Sequence, residues 1–260
     1  MKDSEKTNFA EKTNRASLFG AGVFTTLAVR HGDLLLWEKH WRRLVENARR
    51  IGIDLAARTE ESTFHAVQVA VSNHKLENGR VRITLFDHRP SELWPSSESS
   101  EETTGIQIAV GDPRIPAERF KLAISPFPVN SRSPLLGVKS CNYLEQILSI
   151  DEAKSRGFHE AVRVNERGHV TSGCMSNIFW LKNDRLYTPT LATGCLAGTT
   201  REYVLEIVEC KEVEAEIGEL ESADAIYLTS AGLGIVRVAE FDGHELTDPK
   251  HPIQALWPPS

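Results

Sequence analysis

The feature that most constrains this chain is the distribution of its β-type segments, which come in clusters separated by a few helical segments and do not alternate with helices one for one. Residues 18–36, LFGAGVFTTLAVRHGDLLL, set two apolar β-favouring runs around the turn-forming His31-Gly32-Asp33, which predicts a hairpin. From Glu38 the period changes. Trp41, Leu44, Val45, Ala48 and Ile51 recur at three- and four-residue steps and predict a helix that stops at Gly52. Phe64, Val67 and Val71 predict a second helix over 60–74, and 80–86 and 106–110 read as strands. Between them, 90–105, PSELWPSSESSEETTG, has little to bury and reads as an exposed loop. GDPRIPAERF then breaks the pattern with two prolines, so a domain boundary is expected near residue 115, dividing the chain into 1–115 and 116–260. Beyond it come a strand at 120–125, an irregular PFPVNSRSPLLG and a helix over 140–155 closed by Gly157. Strand pairs follow at 161–164 with 169–171 and at 178–181 with 185–187. A helix opened by GCLAGTTREYVLEIV and strands at 225–229 and 235–241 complete the chain. This order predicts an α+β fold instead of a doubly wound sheet.

Composition narrows the function. Lys and Arg total 30 against 36 Asp and Glu among 260 residues, a formal charge of −6, and there is no basic block, so phosphate-driven nucleic-acid binding is not expected. No apolar run approaches the roughly 20 residues of a membrane span, and the opening MKDSEKTNFAEKTNR is polar, which leads to the expectation of a cytoplasmic protein without a membrane partner. Cys141, Cys174, Cys195 and Cys210 are too widely spaced for a disulfide framework, and neither they nor the nine histidines fall in a metal-ligand spacing. With no metal expected, difficult chemistry would need an organic cofactor.

Four places could carry it. Gly198-Thr199-Thr200-Arg201 lies where a glycine-containing loop enters a helix, so backbone N–H groups, hydroxyls and the helix dipole converge on a potential anion site. The plainer alternative is a Thr N-cap. Thr229-Ser230-Ala231-Gly232 is a second hydroxyl-rich turn after a strand, open to the same alternative. Arg43, in His40-Trp41-Arg42-Arg43-Leu44, flanks an apolar helix stripe and either reaches inward to an anion or is solvated. Lys139 follows apolar residues and precedes Ser140-Cys141-Asn142-Tyr143. Held in an apolar surround, a lysine becomes an amine nucleophile; otherwise it is a surface residue.

Taken together, LxGxKSxNYLEQ, SGCMSNIFWLKNDRLYTP, LAGTTRE and the early GAGVFTTL with EKHWRRL occur in an order that resembles the class IV aminotransferase family, over roughly residues 15–243. These are fold type IV enzymes that use pyridoxal 5'-phosphate (PLP). The resemblance implies a two-domain α+β fold like that of D-amino acid aminotransferase, with the cofactor between the domains and a second subunit completing the site of a homodimer. It also implies that Lys139 holds PLP as a Schiff base and that Arg43, Thr199 and Thr200 bind its phosphate with Thr229 and Ser230 nearby. Tyr143 would approach the phenolic oxygen.

Within the family the pattern is similar to the 4-amino-4-deoxychorismate lyases, which form 4-aminobenzoate and pyruvate for folate biosynthesis. Thr25, taken as a candidate catalytic residue, stands where transaminating relatives usually carry Glu, whereas Tyr143 is similar to the transaminases. A departure lies at Ser172. The family usually reads V-T-E-G there, its Glu pairing with the pyridine nitrogen, and this chain has Val170-Thr171-Ser172-Gly173. Glu160 matches another family position and Glu166 lies in a turn. A hydroxyl can donate a hydrogen bond to an unprotonated nitrogen but cannot hold a proton on it. The weaker electron sink is more tolerable in a lyase, whose product gains aromaticity, than in transamination. The expectation is therefore a PLP lyase acting on a small-molecule amine. The alternatives are a branched-chain or D-amino acid aminotransferase and, less favoured, a non-catalytic PLP-binding protein. Arg82 and Arg89 are candidate partners for a substrate carboxylate, with solvent exposure the alternative for each.

Overall fold

In the computed structural model, which describes residues 13–89, 91 and 104–257, the secondary structure is divided among three sheets. The first region contains helix α1 (Arg15–Phe19), strands β1 (Gly22–Arg30) and β2 (Asp33–Leu34), helices α2 (Trp37–Arg50) and α3 (Glu60–Asn73), and strands β3 (Asn78–Asp87) and β4 (Thr104–Gly111). Its sheet runs β2-β1-β3-β4 and is antiparallel throughout. Period-two alternation sends Val23, Leu27 and Val29 of β1, with Val81, Ile83 and Leu85 of β3, against Leu44 and Ala48 of α2 and Val67 and Val71 of α3. Phe24, Thr26 and Arg82 take the opposite face and look into a cavity.

Next come β5 (Lys121–Ile124), α4 (Leu144–Ser155), β6 (Glu160–Val164), β7 (Val170–Gly173), β8 (Asn177–Lys182) and β9 (Arg185–Pro189). They are followed by α5 (Thr199–Ile207), β10 (Lys211–Val213), α6 (Gly218–Glu221), β11 (Ala225–Ser230), β12 (Gly234–Arg237), β13 (Glu240–Phe241) and β14 (His244–Glu245). Two five-stranded sheets result, ordered β10-β9-β8-β11-β12 and β14-β13-β5-β6-β7. Their facing sides share a core built from Phe120, Leu122, Val162, Ile178, Trp180, Ile226 and Leu228. Val204 of α5 covers Phe179 and Tyr227 on one outer side, and Ile150 and Ala153 of α4 cover Ala123 and Ala161 on the other. The mixed helices and clustered strands are the α+β arrangement that the sequence predicts.

Two expected elements differ. The helix expected over 140–155 begins only at Leu144, because β2 pairs with only the last two residues of β1 and leaves the edge of Gly22–Phe24 open. Residues 139–141 fill that edge, with Phe24 N donating to Lys139 O (2.9 Å) and Cys141 N to Gly22 O (2.8 Å). The strand expected over 235–241 is split, since β12 pairs with β11 whereas β13 pairs in parallel with β5. The chain changes sheets at Val238 and Ala239, whose N–H groups donate to Ile226 O and Phe120 O respectively. The loop expected over 90–105 lies outside the described residues apart from Ser91 and Thr104-Gly105, the latter two in β4. Among the described residues no helix is long and apolar enough to cross a membrane, and no cluster of metal-ligating side chains is found.

Candidate active site

A cavity of about 630 Å³ opens between the helix-free face of the first sheet and the segments that lead into α4, α5 and the end of β11. Lys139 reaches it from the backbone that closes the edge of β1. Its Nζ donates to Tyr143 Oη (3.0 Å) and sits 4.5 Å from the ring centres of both Phe24 and Tyr143. Burial, reinforced by the charges of Arg43 and Arg82, holds the ammonium pKa well below the usual lysine range, so the neutral amine is favoured. Tyr143 packs edge-on against Phe24, and burial together with Glu160 pushes its phenol up to about 12, with Arg43 and Arg82 pulling the other way.

Arg43 and His40 lie one turn apart on the buried stripe of α2, which explains why both turn inward. Arg43 Nη2 donates to Thr25 Oγ1 (2.9 Å) and Nη1 to Ala197 O (3.2 Å), while its Nε is buried without a partner. Burial lowers the guanidinium to about 10, partly offset by Tyr143 and Glu202, so it remains a cation at neutral pH. His40 belongs to no motif of its own in the sequence. Its Nδ1 lies 2.6 Å from Thr25 Oγ1 and its Nε2 3.0 Å from Thr199 Oγ1. Burial, then Arg43 and Lys139, depresses its pKa well below the usual value, so the ring is neutral. Because Thr25 Oγ1 already accepts from Arg43, we assign the Thr25 hydroxyl as donor to His40 Nδ1 and the ring proton to Nε2, which satisfies the Thr25 hydroxyl and both ring nitrogens and leaves the Thr199 hydroxyl proton free. The i,i+3 spacing of His40 and Arg43 was the available signal. Thr25 itself does not line the cavity: it shares the face of Val23 and Leu27, and its hydroxyl orients His40 and Arg43 from behind.

Thr199 and Thr200 occupy the first turn of α5, whose first intrahelical donor is Glu202 N to Gly198 O (2.9 Å). The N–H groups ahead of it are left for a ligand. Gly198 is required at the entry, since a Cβ there would stand 1.9 Å from Asn177 Oδ1, and Asn177 is held by its bond to Leu196 O (2.8 Å). Thr200 Oγ1 and, at the end of β11, Thr229 Oγ1 are both buried without a partner, and both residues line the cavity. Ser230 also lines it, with its Oγ accepting from Leu233 N (3.2 Å) to fix the turn.

Ser172 lines the cavity from β7. Glu160 does not: buried beneath the turn after β7, its Oε1 accepts from Met175 N (2.7 Å) and Ser176 Oγ (2.9 Å), and burial raises its pKa. Glu166 is exposed and held down at about 2 by hydrogen bonds from Ser131. The two other candidate arginines part company. Arg89 closes a bidentate pair with Asp87 away from the cavity, whereas the Arg82 guanidinium lies over the Phe24 ring at 3.6 Å and lines the cavity.

An enclosed lysine whose ammonium form is disfavoured by burial stands in the same cavity as an arginine Nε and two hydroxyls that lack partners, beside a helix start with free N–H groups. That donor set fits a phosphorylated aldehyde cofactor: the amine suits the carbonyl, and the orphaned donors suit a dianion. The arrangement defines a PLP-type site on an α+β scaffold. The chain belongs to the amino-transferase class IV family, whose family model matches residues 22–241. Enzymes of this family use PLP. Among its relatives, an aminodeoxychorismate lyase of Vibrio harveyi is 24% identical over 89% of this chain and 87% of the relative. A D-alanine aminotransferase of Bacillus licheniformis is 25% identical over 90% of this chain and 83% of the relative. The solved structure of a branched-chain aminotransferase from Thermoproteus uzoniensis with norvaline superposes with a TM-score of 0.84 at 26% identity, covering 96% of this chain and 88% of that one.

Proposed function

We propose that this chain is a PLP-dependent lyase that converts 4-amino-4-deoxychorismate to 4-aminobenzoate and pyruvate, working as a homodimer. The observation that carries this reading is the basic cavity wall: Arg80, Arg82 and Arg114 line it in addition to Arg43. Aminodeoxychorismate carries two carboxylates. A branched-chain amino acid carries one, together with an apolar side chain that would desolvate these guanidinium groups without compensation.

Lys139 would hold PLP covalently, with Arg43, Thr199, Thr200 and Thr229 on its phosphate and Tyr143 and Ser172 at its ring. When bound, PLP supplies an electron-withdrawing ring that acidifies the C–H bond beside the attached amine. Lys139, released when the substrate amine takes its place and disposed to the neutral form by burial, would accept that proton and return one to the enolpyruvyl methylene carbon as the ring C–O bond breaks, so that pyruvate leaves. The Tyr143 hydroxyl, which stays protonated, anchors the lysine between these two positions. Ser172 supports a hydrogen bond to the ring nitrogen and no proton on it, which suits a reaction driven by aromatisation. One feature favours an aminotransferase instead, namely Tyr143, by its similarity to the transaminases. For the second subunit, α4 presents Leu144 (67% exposed), Ile147 and Leu148 (53% exposed) outward, with Leu144 and Ile147 at the cavity wall, and sedimentation checks the assembly.

Incubating the PLP-loaded protein with aminodeoxychorismate should release 4-aminobenzoate and pyruvate in equal amounts. Arg82→Leu should raise KM by about 10- to 150-fold, the equivalent of one charge-assisted contact of about 1.5–3 kcal/mol. Keto-acid exchange between amino acids with no 4-aminobenzoate would replace this reading by the aminotransferase.

A further inference from the structure

Ser172 faces a charged partner across the sheet. In the β6–β7 ladder it is registered directly opposite Arg163, so the two side chains share a face with Cβ atoms roughly 4.5–5.5 Å apart. The ladder slips by one residue immediately after this pair, between Arg163 and Val164, a bulge of the kind that re-aims side chains at functional sites. Arg163 is only 3% exposed, and it lines the same cavity as Ser172. Its Nε and Nη2 donate to the carbonyls of Phe127 (3.3 Å) and Pro128 (3.2 Å), which fix its position without neutralising it. The carboxylate that reaches it, Glu145 of α4, is 76% exposed and 3.4 Å from Nη2. A buried cation so weakly compensated is costly unless it serves something in the cavity.

Resting on the PLP reading of the site, we infer that Arg163 and Ser172 act as one unit that keeps the pyridine nitrogen of the cofactor unprotonated. Ser172 donates a hydrogen bond from its hydroxyl to the nitrogen, and the fixed charge of Arg163 opposes a second positive charge beside it. A nearby like charge disfavours protonation, and it does so more strongly in a buried site than in water. The other cations on the cavity wall act in the same sense, and Glu145 acts in the opposite one. Arg43, Arg80, Arg82 and Arg114 are cations, Lys139 and Tyr143 are uncharged, and Glu145 is the carboxylate lining the cavity among the described residues. Glu160 does not line the cavity; its Oε1 accepts from Met175 and Ser176 while its Oε2 is buried without a partner, and its charge, like that of Glu145, would act in the opposite sense. Arg163 is thus an electrostatic positioning residue, and it changes what a carboxylate at position 172 would do. In Ser172→Glu the new carboxylate would pair with Arg163 and leave the nitrogen neutral; only with Arg163 also removed would it hold a proton there.

Nitrogen-15 NMR of the protein loaded with pyridine-15N-labelled PLP reads the protonation state without relying on turnover. The unmodified protein and Ser172→Glu should both show a neutral nitrogen from pH 6 to 9, and Ser172→Glu combined with Arg163→Leu a protonated one. Arg163→Lys, which preserves the charge, should combine with Ser172→Glu to behave like Ser172→Glu alone. This keeps the inference testable if Arg163→Leu fails to fold. A protonated nitrogen in the unmodified protein overturns the unit, and Glu145→Gln and Glu160→Gln then identify the acid responsible. Protonation in Ser172→Glu with Arg163 intact overturns the part assigned to Arg163. Failure of the unmodified protein to retain PLP would overturn the cofactor reading as well, a result distinct from the other two.

Discussion

Replacing Arg43 by Met keeps the aliphatic stem on α2 and removes the guanidinium, and the structure says what that should do. In the protein without cofactor the change deletes the hydrogen bonds to Thr25 Oγ1 and Ala197 O, each worth about 1 kcal/mol net, but also relieves a desolvated cation. These terms oppose, so the urea-unfolding free energy of the apoprotein should change by no more than about 2 kcal/mol. In the PLP-bound protein only the loss remains, because the unpartnered Nε and the positive charge are what the site offers a phosphate dianion from α2. A charge-assisted contact of about 1.5–3 kcal/mol corresponds to about 10- to 150-fold in Kd. Equilibrium binding of PLP and of pyridoxal, which lacks the phosphate, separates the causes: PLP should weaken by that factor and pyridoxal should be nearly unaffected. Unchanged PLP affinity, or equal losses for both ligands, would refute the assignment of Arg43 to the phosphate.

Borohydride reduction of the PLP-loaded protein followed by peptide mapping should place the pyridoxyl mass on the peptide that contains Lys139, and a label on another lysine would remove the basis of the whole site. His40 predicts a pH effect on the apoprotein. Its folded pKa is depressed by burial, so between that value and about 6.5 the unfolded chain binds a proton that the folded one does not, and stability must fall as pH falls through this window. The contribution is at most about 1.4 kcal/mol per pH unit. Urea unfolding at pH 7.5 and 5.5 should show a smaller acid-side loss in His40→Asn than in the unmodified protein, and equal losses would show that His40 is not held neutral.

Much of the fold is legible in the chain because its signals are local. The three- and four-residue steps from Trp41 to Ile51 define α2, and the His31-Gly32-Asp33 turn joins β1 to β2. The elements that failed are those decided by distant partners. The start of α4 depends on an open edge of β1 more than a hundred residues earlier, and the break at Val238-Ala239 depends on carbonyls of Ile226 and Phe120. The glycine, hydroxyl and lysine motifs of the site are legible for the same local reason: Gly198 ahead of two threonines announces a helix start, whatever the rest of the chain does.

Which of those motifs meet was decided by packing. Strand alternation turns Thr25 toward α2 and Phe24 toward the cavity, so the residue expected in the chemistry stands behind it. Burial makes His40 neutral and lets it link Thr25 of the first sheet to Thr199 of α5, residues far apart in the chain. Arg163 has the sequence of an ordinary strand arginine, and only the β6–β7 register sets it opposite Ser172. The chain by itself therefore determined the helix and strand periods, the turn residues and the supply of amine, hydroxyl and cation. The tertiary structure decided which of these groups lose water and share one cavity, because desolvation and cross-strand register depend on contacts between segments that no local pattern encodes.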